Sequence, residues 1–149
     1  MTVIFDKGFP QTIEKSDGTV PAGQDSLFTI TGGPILVTDF VGIVTTIVGN
    51  NVSTCHIDIA VTEPAADVPL STSVAIETDA AGTSYTFTTD ALPVLTPTTA
   101  GAKMLIPRIA WLLPIGTVKA HCSAANTGNI KWYMSYFMLS QFSKVEAAA

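Results

Sequence analysis

Residues 52–61 read VSTCHIDIAV, and apolar and polar side chains alternate along them with a period of two. From Cys55 onward the odd positions are apolar, whereas the even positions include His56 and Asp58. Successive side chains of a β-strand point to opposite faces of its sheet. The stretch therefore predicts a strand with one face in the core and the other face toward water.

A second alternating segment lies at residues 117–123, TVKAHCS. Val118 and Cys122 share one face of this segment, and Lys119 and His121 share the opposite face. Each cysteine of the chain is therefore expected on an inward face of a strand, and each histidine on an outward face.

Turn-forming Gly, Pro and Asn residues recur at intervals of about 10 to 15 residues, which leaves no room for long helices. The length of 149 residues fits a single domain with one core. These features predict an all-β, antiparallel β-sandwich at residues 27–149. Strands are predicted at residues 26–31, 35–48, 52–61, 70–76, 84–89, 102–106, 117–123 and 130–142.

Residues 1–26 differ from the rest of the chain. They begin with an apolar stretch that ends at Phe5, continue with Gly, Pro and charges of both signs, and show no clear period. This composition predicts an extended N-terminal arm, which is either a frayed terminus or a segment that becomes ordered on a neighbouring molecule. Phe5 and Phe9 are the anchors expected in the second case.

Residues 16–102 contain no Lys or Arg, although they contain nine Asp and Glu residues. Monomeric proteins usually keep charges of both signs on their surface. We therefore expect other protein molecules to cover much of the surface that residues 16–102 form. The net charge of −5 argues against a nucleic-acid partner, which requires clustered cations. No apolar run is long enough for a transmembrane helix and no secretion signal is recognised, so we expect no membrane partner and synthesis in the cytoplasm.

Two segments are apolar on both faces. Residues 35–48 place Phe40 on one face and further Val and Ile residues on the other, and residues 130–142 place Trp132 and Tyr133 on opposite faces. A strand that is apolar on both faces is buried on both. One apolar face of each segment is expected to pack into the core of the sandwich. The second apolar face predicts a contact between subunits, and the alternative is that loops or the arm of the same chain cover it.

Cys55 and Cys122 are expected to be buried thiols, because the chain shows no secretion signal, and a disulfide is the alternative. Each cysteine has a neighbouring histidine, which suggests a four-ligand zinc site. Adjacent residues of a strand point to opposite faces, however, and do not converge on one ion. We therefore predict no metal site and no cofactor. Glu77 and Asp79 offer oxygen ligands for calcium, although without the spacing of an EF-hand.

The sequence offers little for catalysis. Neither histidine accompanies a Ser or Cys nucleophile in a recognisable motif, and most carboxylates lie in predicted loops. No glycine-rich loop of the kind that binds phosphate is present. We therefore expect neither a catalytic residue nor an enzymatic activity.

Asp39 is the one acid within residues 35–48, and Arg108 is the only arginine of the chain. They are candidates for an ion pair across an interface, and the alternative is that both are solvated surface residues. Trp111 follows Arg108 in a predicted apolar loop, and this combination is typical of an interface hot spot. The predicted interface residues are Phe5, Phe9, Asp39, Phe40, Arg108, Trp111, Trp132, Tyr133 and Phe137.

Two stretches of the chain resemble small proteins encoded in the structural-gene clusters of tailed bacteriophages. Residues 27–48, LFTITGGPILVTDFVGIVTTIV, contain the motif T-G-G-x-[IV]-L-V that opens the domain in that group. Residues 114–139, PIGTVKAHCSAANTGNIKWYMSYFML, contain the closing motif P-x-G-T-[IV]-K-x-x-C followed by K-W-Y. The two stretches cover about a third of the chain.

The resemblance implies a virion structural protein, and in particular a head decoration or cement protein. Such proteins have a jelly-roll-like β-fold, form homotrimers at local three-fold positions of the capsid, and bind the major capsid protein with a terminal arm. The expected location is the capsid surface of the virion, after synthesis in the host cytoplasm. The alternatives are a tail- or fibre-associated module that recognises a host receptor, a sugar-cleaving domain and a lectin-like binding domain.

Overall fold

The computed structural model describes residues 9–16, 18–87, 95–98 and 110–149. This part of the chain consists of strands and connecting turns, and it contains no helix long and apolar enough to cross a membrane. The predicted all-β, antiparallel, single-domain sandwich is confirmed. The strands are β1 (Gln11–Lys15), β2 (Gly23–Thr31), β3 (Ile35–Thr46), β4 (Thr54–Val61), β5 (Ala66–Pro69), β6 (Val74–Ala75), β7 (Ser84–Phe87), β8 (Leu95–Thr98), β9 (Trp111–Leu113), β10 (Gly116–Cys122), β11 (Asn129–Met138) and β12 (Lys144–Ala147).

These strands form two six-stranded antiparallel sheets. The first sheet has the order β1-β11-β3-β7-β8, with β9 also paired to β3. The second sheet has the order β12-β2-β10-β4-β5, with β6 also paired to β4. The runs β1-β11-β3-β7 and β2-β10-β4-β5 are connected as two interlocked Greek keys, which is the strand order of a jelly roll.

The two alternating segments found in the sequence pair with each other as β4 and β10. Ile57, Ile59 and Val118 are buried between the sheets. His56 and His121 lie opposite each other on the outer face, with ring centroids 4.9 Å apart. The predicted facing of both segments is therefore confirmed.

A β-bulge in β3 changes the facing predicted for residues 35–48. Val37 and Asp39 pair with consecutive residues of β11, so Thr38 is an extra residue between them. Residues on both sides of the bulge consequently reach the same core. The fully buried residues of β3 on this side are Ile35, Val37, Phe40 and Val44. The prediction of two separate apolar faces is corrected, because part of the second face is the first face continued beyond the bulge.

A cluster of aromatic rings joins the two sheets. The ring of Phe40 in β3 has its centroid 6.0 Å from that of Phe28 in β2 and 5.4 Å from that of Phe87 in β7. Trp111 of β9 contacts Phe87 edge-on at 4.7 Å, and Trp132 of β11 lies 5.7 Å from Phe40. Phe40 therefore links strands of both sheets at the centre of the core.

The predicted arm at residues 1–26 belongs in part to the sandwich. β1 pairs with β11, and its Ile13 packs against the core. β2 begins at Gly23 and not at the predicted domain boundary at residue 27. The sequence did not predict β1 or the first residues of β2, because their side chains are mostly polar and the alternation of apolar residues is weak. Phe5 lies outside the described residues.

Other elements also differ from the sequence prediction. The short strands β5, β8 and β9 were not predicted, because each has four residues or fewer and such a length is too short to show a periodic pattern. The segment predicted at residues 130–142 ends earlier, at Met138, and a turn leads to β12. Ser143 holds this turn, since its hydroxyl donates a hydrogen bond of 2.9 Å to the Pro34 carbonyl. The strand predicted at residues 102–106 lies outside the described part of the chain.

Cys55 and Cys122 form a disulfide between β4 and β10, which corrects the prediction of two buried thiols. The two residues are direct partners in the strand register, with Cα atoms 4.2 Å apart. They are 67 residues apart in the sequence. Their proximity therefore depends on strand pairing, which the two local patterns did not show.

Tyr85 of β7 is fully buried, and its hydroxyl donates a hydrogen bond to the Asp79 carboxylate. Burial, this hydrogen bond and the charges of Asp79 and Glu77 together raise the pKa of Tyr85 well above its usual value. Asp79, considered above as a calcium ligand, thus holds a tyrosine of the core in place.

The raised pKa of Tyr85 predicts a loss of stability in alkaline solution. Below the ordinary pKa of 10.0 the phenol is neutral in the folded and the unfolded chain. Above it only the unfolded chain loses the proton, so the free energy of unfolding should fall by about 1.4 kcal/mol per pH unit from this group. Urea unfolding across this range should show a steeper decline for the wild type than for Tyr85→Phe, and equal slopes would contradict the prediction.

Candidate functional site

The outer face of the first sheet carries a row of large apolar side chains across three neighbouring strands. Phe137 of β11 pairs with Leu36 of β3, and Leu36 pairs with Leu112 of β9. All three alternate with core-facing neighbours and therefore point outward. Leu112 is exposed, and Leu36 and Phe137 are half-buried. We call these three residues the apolar row.

The surroundings of the apolar row are partly apolar and partly charged. Leu139, two residues after Phe137, is exposed. Tyr133 lies on the same strand, four residues before Phe137. Val41, the partner of Tyr133, is buried although it faces outward, so the chain itself covers that part of the face. An ion pair between Glu14 and Lys131, with Oε1 and Nζ 2.8 Å apart, borders the face. Within the described residues, the apolar row and Leu139 are therefore the uncovered apolar part of this face.

Three predicted interface residues, Asp39, Tyr133 and Phe137, lie on this outer face. Asp39 is half-buried, and its Oδ2 accepts a hydrogen bond of 3.2 Å from the Thr38 hydroxyl. Phe9, just before β1, is exposed. The participation of these residues in an interface stays a prediction.

The other predicted interface residues have a different position or are not described. Phe40 and Trp132 are buried in the core and cannot contact a partner. Trp111 is partly buried on β9 and packs against the core, so it does not lie in a loop. The prediction of Phe40 and Trp132 as interface residues is corrected, because a two-faced pattern does not show which face is inward. For Trp111 only the predicted loop is corrected, because a strand of three residues is too short for a periodic pattern, and its place in an interface stays a prediction. Arg108 and Phe5 lie outside the described residues.

The outer face of the second sheet brings His56, Asp58 and His121 together. His56 and Asp58 are two positions apart on β4 and therefore share its outer face, and His121 of β10 is the register partner of His56. Asp58 Oδ2 lies 3.8 Å from Nε2 of His56 and 3.9 Å from Nδ1 of His121. Within the described residues, this is the one group of three His, Cys, Asp or Glu side chains whose donor atoms are close enough to hold an ion.

Asp58 is an unusual member of this cluster, because it is only 5% exposed although it lies on an outer face. Its Oδ1 is buried and has no hydrogen-bond partner. Burial raises the pKa of the Asp58 carboxyl, and the charge of Asp67 adds to this shift. His56, His121 and Lys119 oppose it. Oδ1 of this carboxylate therefore lacks the hydrogen bond that buried charged groups usually have.

Polar side chains surround the cluster. The hydroxyl of Ser73 lies 3.3 Å from Nδ1 of His56. The ammonium of Lys119 donates a hydrogen bond of 2.8 Å to Gln24 and lies 4.0 Å from Asp67. Lys119 is thus engaged with its own neighbours at the edge of the cluster.

The sequence analysis grouped the two histidines with the cysteines and did not include Asp58. A signal was available, because the alternation at residues 52–61 places His56 and Asp58 on one face. The missing information was the pairing of β4 with β10, which brings His121 to the same place.

No protein-family model matches this chain, and no curated protein matches its sequence. Among solved structures, those of infectious bursal disease virus strains Gt and Gx align with 93% and 91% of the chain, at 12% and 11% sequence identity. The chain spans 39% and 38% of the length of those two chains, and the TM-scores are 0.26 and 0.25. Alignments at this level establish neither a shared fold nor a shared function.

Proposed function

We propose that this protein is a non-enzymatic structural protein of a tailed-bacteriophage virion. In this proposal it is a capsid decoration or cement protein, which binds the head surface as a homotrimer and bridges subunits of the major capsid protein. The observation that carries the proposal is the apolar row on the outer face of the first sheet. The phage-like motifs at residues 31–37 and 114–122 support the assignment to a virion.

The apolar row suits contact with a second copy of the chain. Contiguous exposed apolar side chains are typical of protein interfaces. Leu36 belongs to residues 16–102, which contain no cation. Because identical copies offer little positive charge to one another's acidic surfaces, apolar contact is the main attraction available to them.

A closed three-fold arrangement would place the apolar row of each subunit against its neighbour. Contacts of this head-to-tail type form a ring when the rotation closes, and no apolar row is then left uncovered. An interface that buries about 1,000 Å² or more is expected to be stable.

The stabilising role in this proposal is mechanical. A trimer bound to several capsid subunits adds contacts that must all break before the shell ruptures, so it resists internal pressure without a reaction.

The Cys55–Cys122 disulfide is compatible with a place outside the cell. Disulfides persist in oxidising surroundings, and virion surfaces are among them.

Phe137→Glu is expected to convert the assembled protein into a folded monomer. An unpaired carboxylate buried in an interface is destabilising by several kcal/mol, which corresponds to an increase of about 100-fold or more in the dissociation constant. Sedimentation velocity over a series of concentrations measures the change. Far-ultraviolet circular dichroism checks that the sheets are retained, since Phe137 does not point into the core.

Val52→Glu is the matched control, because Val52 is 75% exposed in the segment before β4 and lies apart from the apolar row. This variant should sediment like the wild type. A wild-type chain that stays monomeric at high concentration, or a Phe137→Glu chain that assembles normally, would overturn the role of the apolar row.

The position on the virion can be tested directly. Purified particles of a phage that encodes this protein should contain it, and cryo-electron microscopy should show it at local three-fold positions of the head. Density at the tail alone would favour the receptor-recognition alternative. Absence of the protein from the particles would contradict a virion role.

A further inference from the structure

We propose that His56, Asp58 and His121 bind one divalent transition-metal ion, with Zn²⁺ as the first candidate, on the outer face of the second sheet. The apolar row lies on the other sheet, so this inference does not depend on the proposed function.

The three donor atoms are spaced for a single ion. Oδ2 of Asp58 lies 3.8 Å from Nε2 of His56 and 3.9 Å from Nδ1 of His121, and all three donors are within 4.8 Å of one another. Ligands at about 2.0 Å from a tetrahedral Zn²⁺ are about 3.3 Å apart. Small rotations of the side chains would therefore bring the donors to coordination distance.

The buried carboxylate is an independent indication of a cation. Asp58 is more than nine-tenths buried, and its Oδ1 has no hydrogen-bond partner. Buried carboxylates are normally paired with a cation or bound to a metal. Lys119, the register partner of Asp58, acts on the carboxylate through its charge, but its ammonium donates its hydrogen bond to Gln24. An ion held between the imidazoles and Oδ2 would place a positive charge directly against this buried carboxylate.

Ser73 favours the orientation of His56 that a metal requires. When Nδ1–H of His56 donates a hydrogen bond to the Ser73 hydroxyl, Nε2 keeps a lone pair and faces Asp58. Metal-bound histidines commonly donate their second ring N–H to such a partner, which sets the tautomer and the ring orientation.

The disulfide holds the two halves of the site together. Cys55 and Cys122 form the pair directly next to His56 and His121 in the register of β4 and β10. The cross-link limits the separation of the two strands that carry the imidazoles. The ligands are thus preorganised on a rigid part of the fold.

The donor set determines the class of ion. Imidazole nitrogens suit Zn²⁺, Cu²⁺ and Ni²⁺, whereas Ca²⁺ and Mg²⁺ prefer sites made entirely of oxygen ligands. His121 is partly exposed, so solvent reaches the cluster. A water molecule is the expected fourth ligand of a tetrahedral ion.

Calorimetric titration of the chelator-treated full chain with Zn²⁺ is expected to show one ion per chain. Asp58→Asn and His121→Ala should each weaken binding at least 10-fold. The chain contains only two histidines, so nuclear magnetic resonance of the imidazole nitrogens reports on this site without interference. Nε2 of His56 and Nδ1 of His121 should be the nitrogens that shift when Zn²⁺ is added to the wild type.

Asp39→Asn is the matched control, since it removes a carboxylate from the other sheet and should leave Zn²⁺ binding unchanged. Circular dichroism of each variant shows whether it is folded, and the resonance experiment on the wild type does not depend on any variant. The inference is overturned if Zn²⁺ leaves both imidazoles unshifted, if Asp58→Asn binds as tightly as the wild type, or if Ca²⁺ binds equally well.

Discussion

Reduction of the Cys55–Cys122 disulfide should lower the free energy of unfolding by about 4 kcal/mol, or roughly 10 °C in melting temperature. The cross-link joins residues 67 positions apart, so it restricts a large loop of the unfolded chain. Without it the unfolded chain gains conformational entropy while the folded sheets keep their other contacts. Calorimetry of the protein with and without a thiol reductant measures the difference.

The double variant Cys55→Ala with Cys122→Ala separates the cross-link from other effects of the reductant. It should melt near the temperature of the reduced wild type, and its melting temperature should not respond to reductant. If the oxidised and reduced wild type melted at the same temperature, the disulfide would not stabilise the fold.

Phe40→Ala is expected to lower the free energy of unfolding by about 4 kcal/mol. Phe40 is 2% exposed, and its ring contacts Phe28 of the second sheet and Phe87 of the first. Removal of the ring leaves a cavity at the point where the sheets meet, and surrounding rings cannot fill it without leaving their own contacts. Urea unfolding followed by tryptophan fluorescence measures the loss.

Phe142→Ala is the matched control for this experiment. Phe142 is 70% exposed in the turn before β12, so the same truncation should change the free energy of unfolding by less than about 0.5 kcal/mol. Similar losses for the two variants would contradict the assignment of Phe40 to the centre of the core.

Alternation in the sequence was sufficient to predict which side chains face inward wherever a strand has one buried and one exposed face. β4 and β10 are such strands, and the facing of Cys55 and His121 followed from the period of two alone. Alternation failed at β1, because its side chains are mostly exposed and carry little apolar periodicity. It also failed at Thr38, because a bulge shifts the phase of the pattern without a local signal.

The candidate sites were only partly visible in the sequence. The surplus apolar character near Phe137 predicted an outer contact surface, but it did not separate that residue from Trp132, which is in the core. The histidines were placed outward, yet their proximity required the register of β4 and β10. Neighbouring positions on one strand are related by local geometry, whereas positions on different strands are related by the fold.

The amino-acid sequence by itself determined the all-β class, the single domain and the facing of the half-buried strands, because backbone geometry makes these features local. A jelly-roll-like fold was expected only from the family resemblance. The tertiary structure decided the strand order itself, the disulfide, the apolar row and the meeting of His56, Asp58 and His121. These depend on which strands pair and in which register. Pairing is decided by packing between residues far apart in the chain, and no local pattern contains that information.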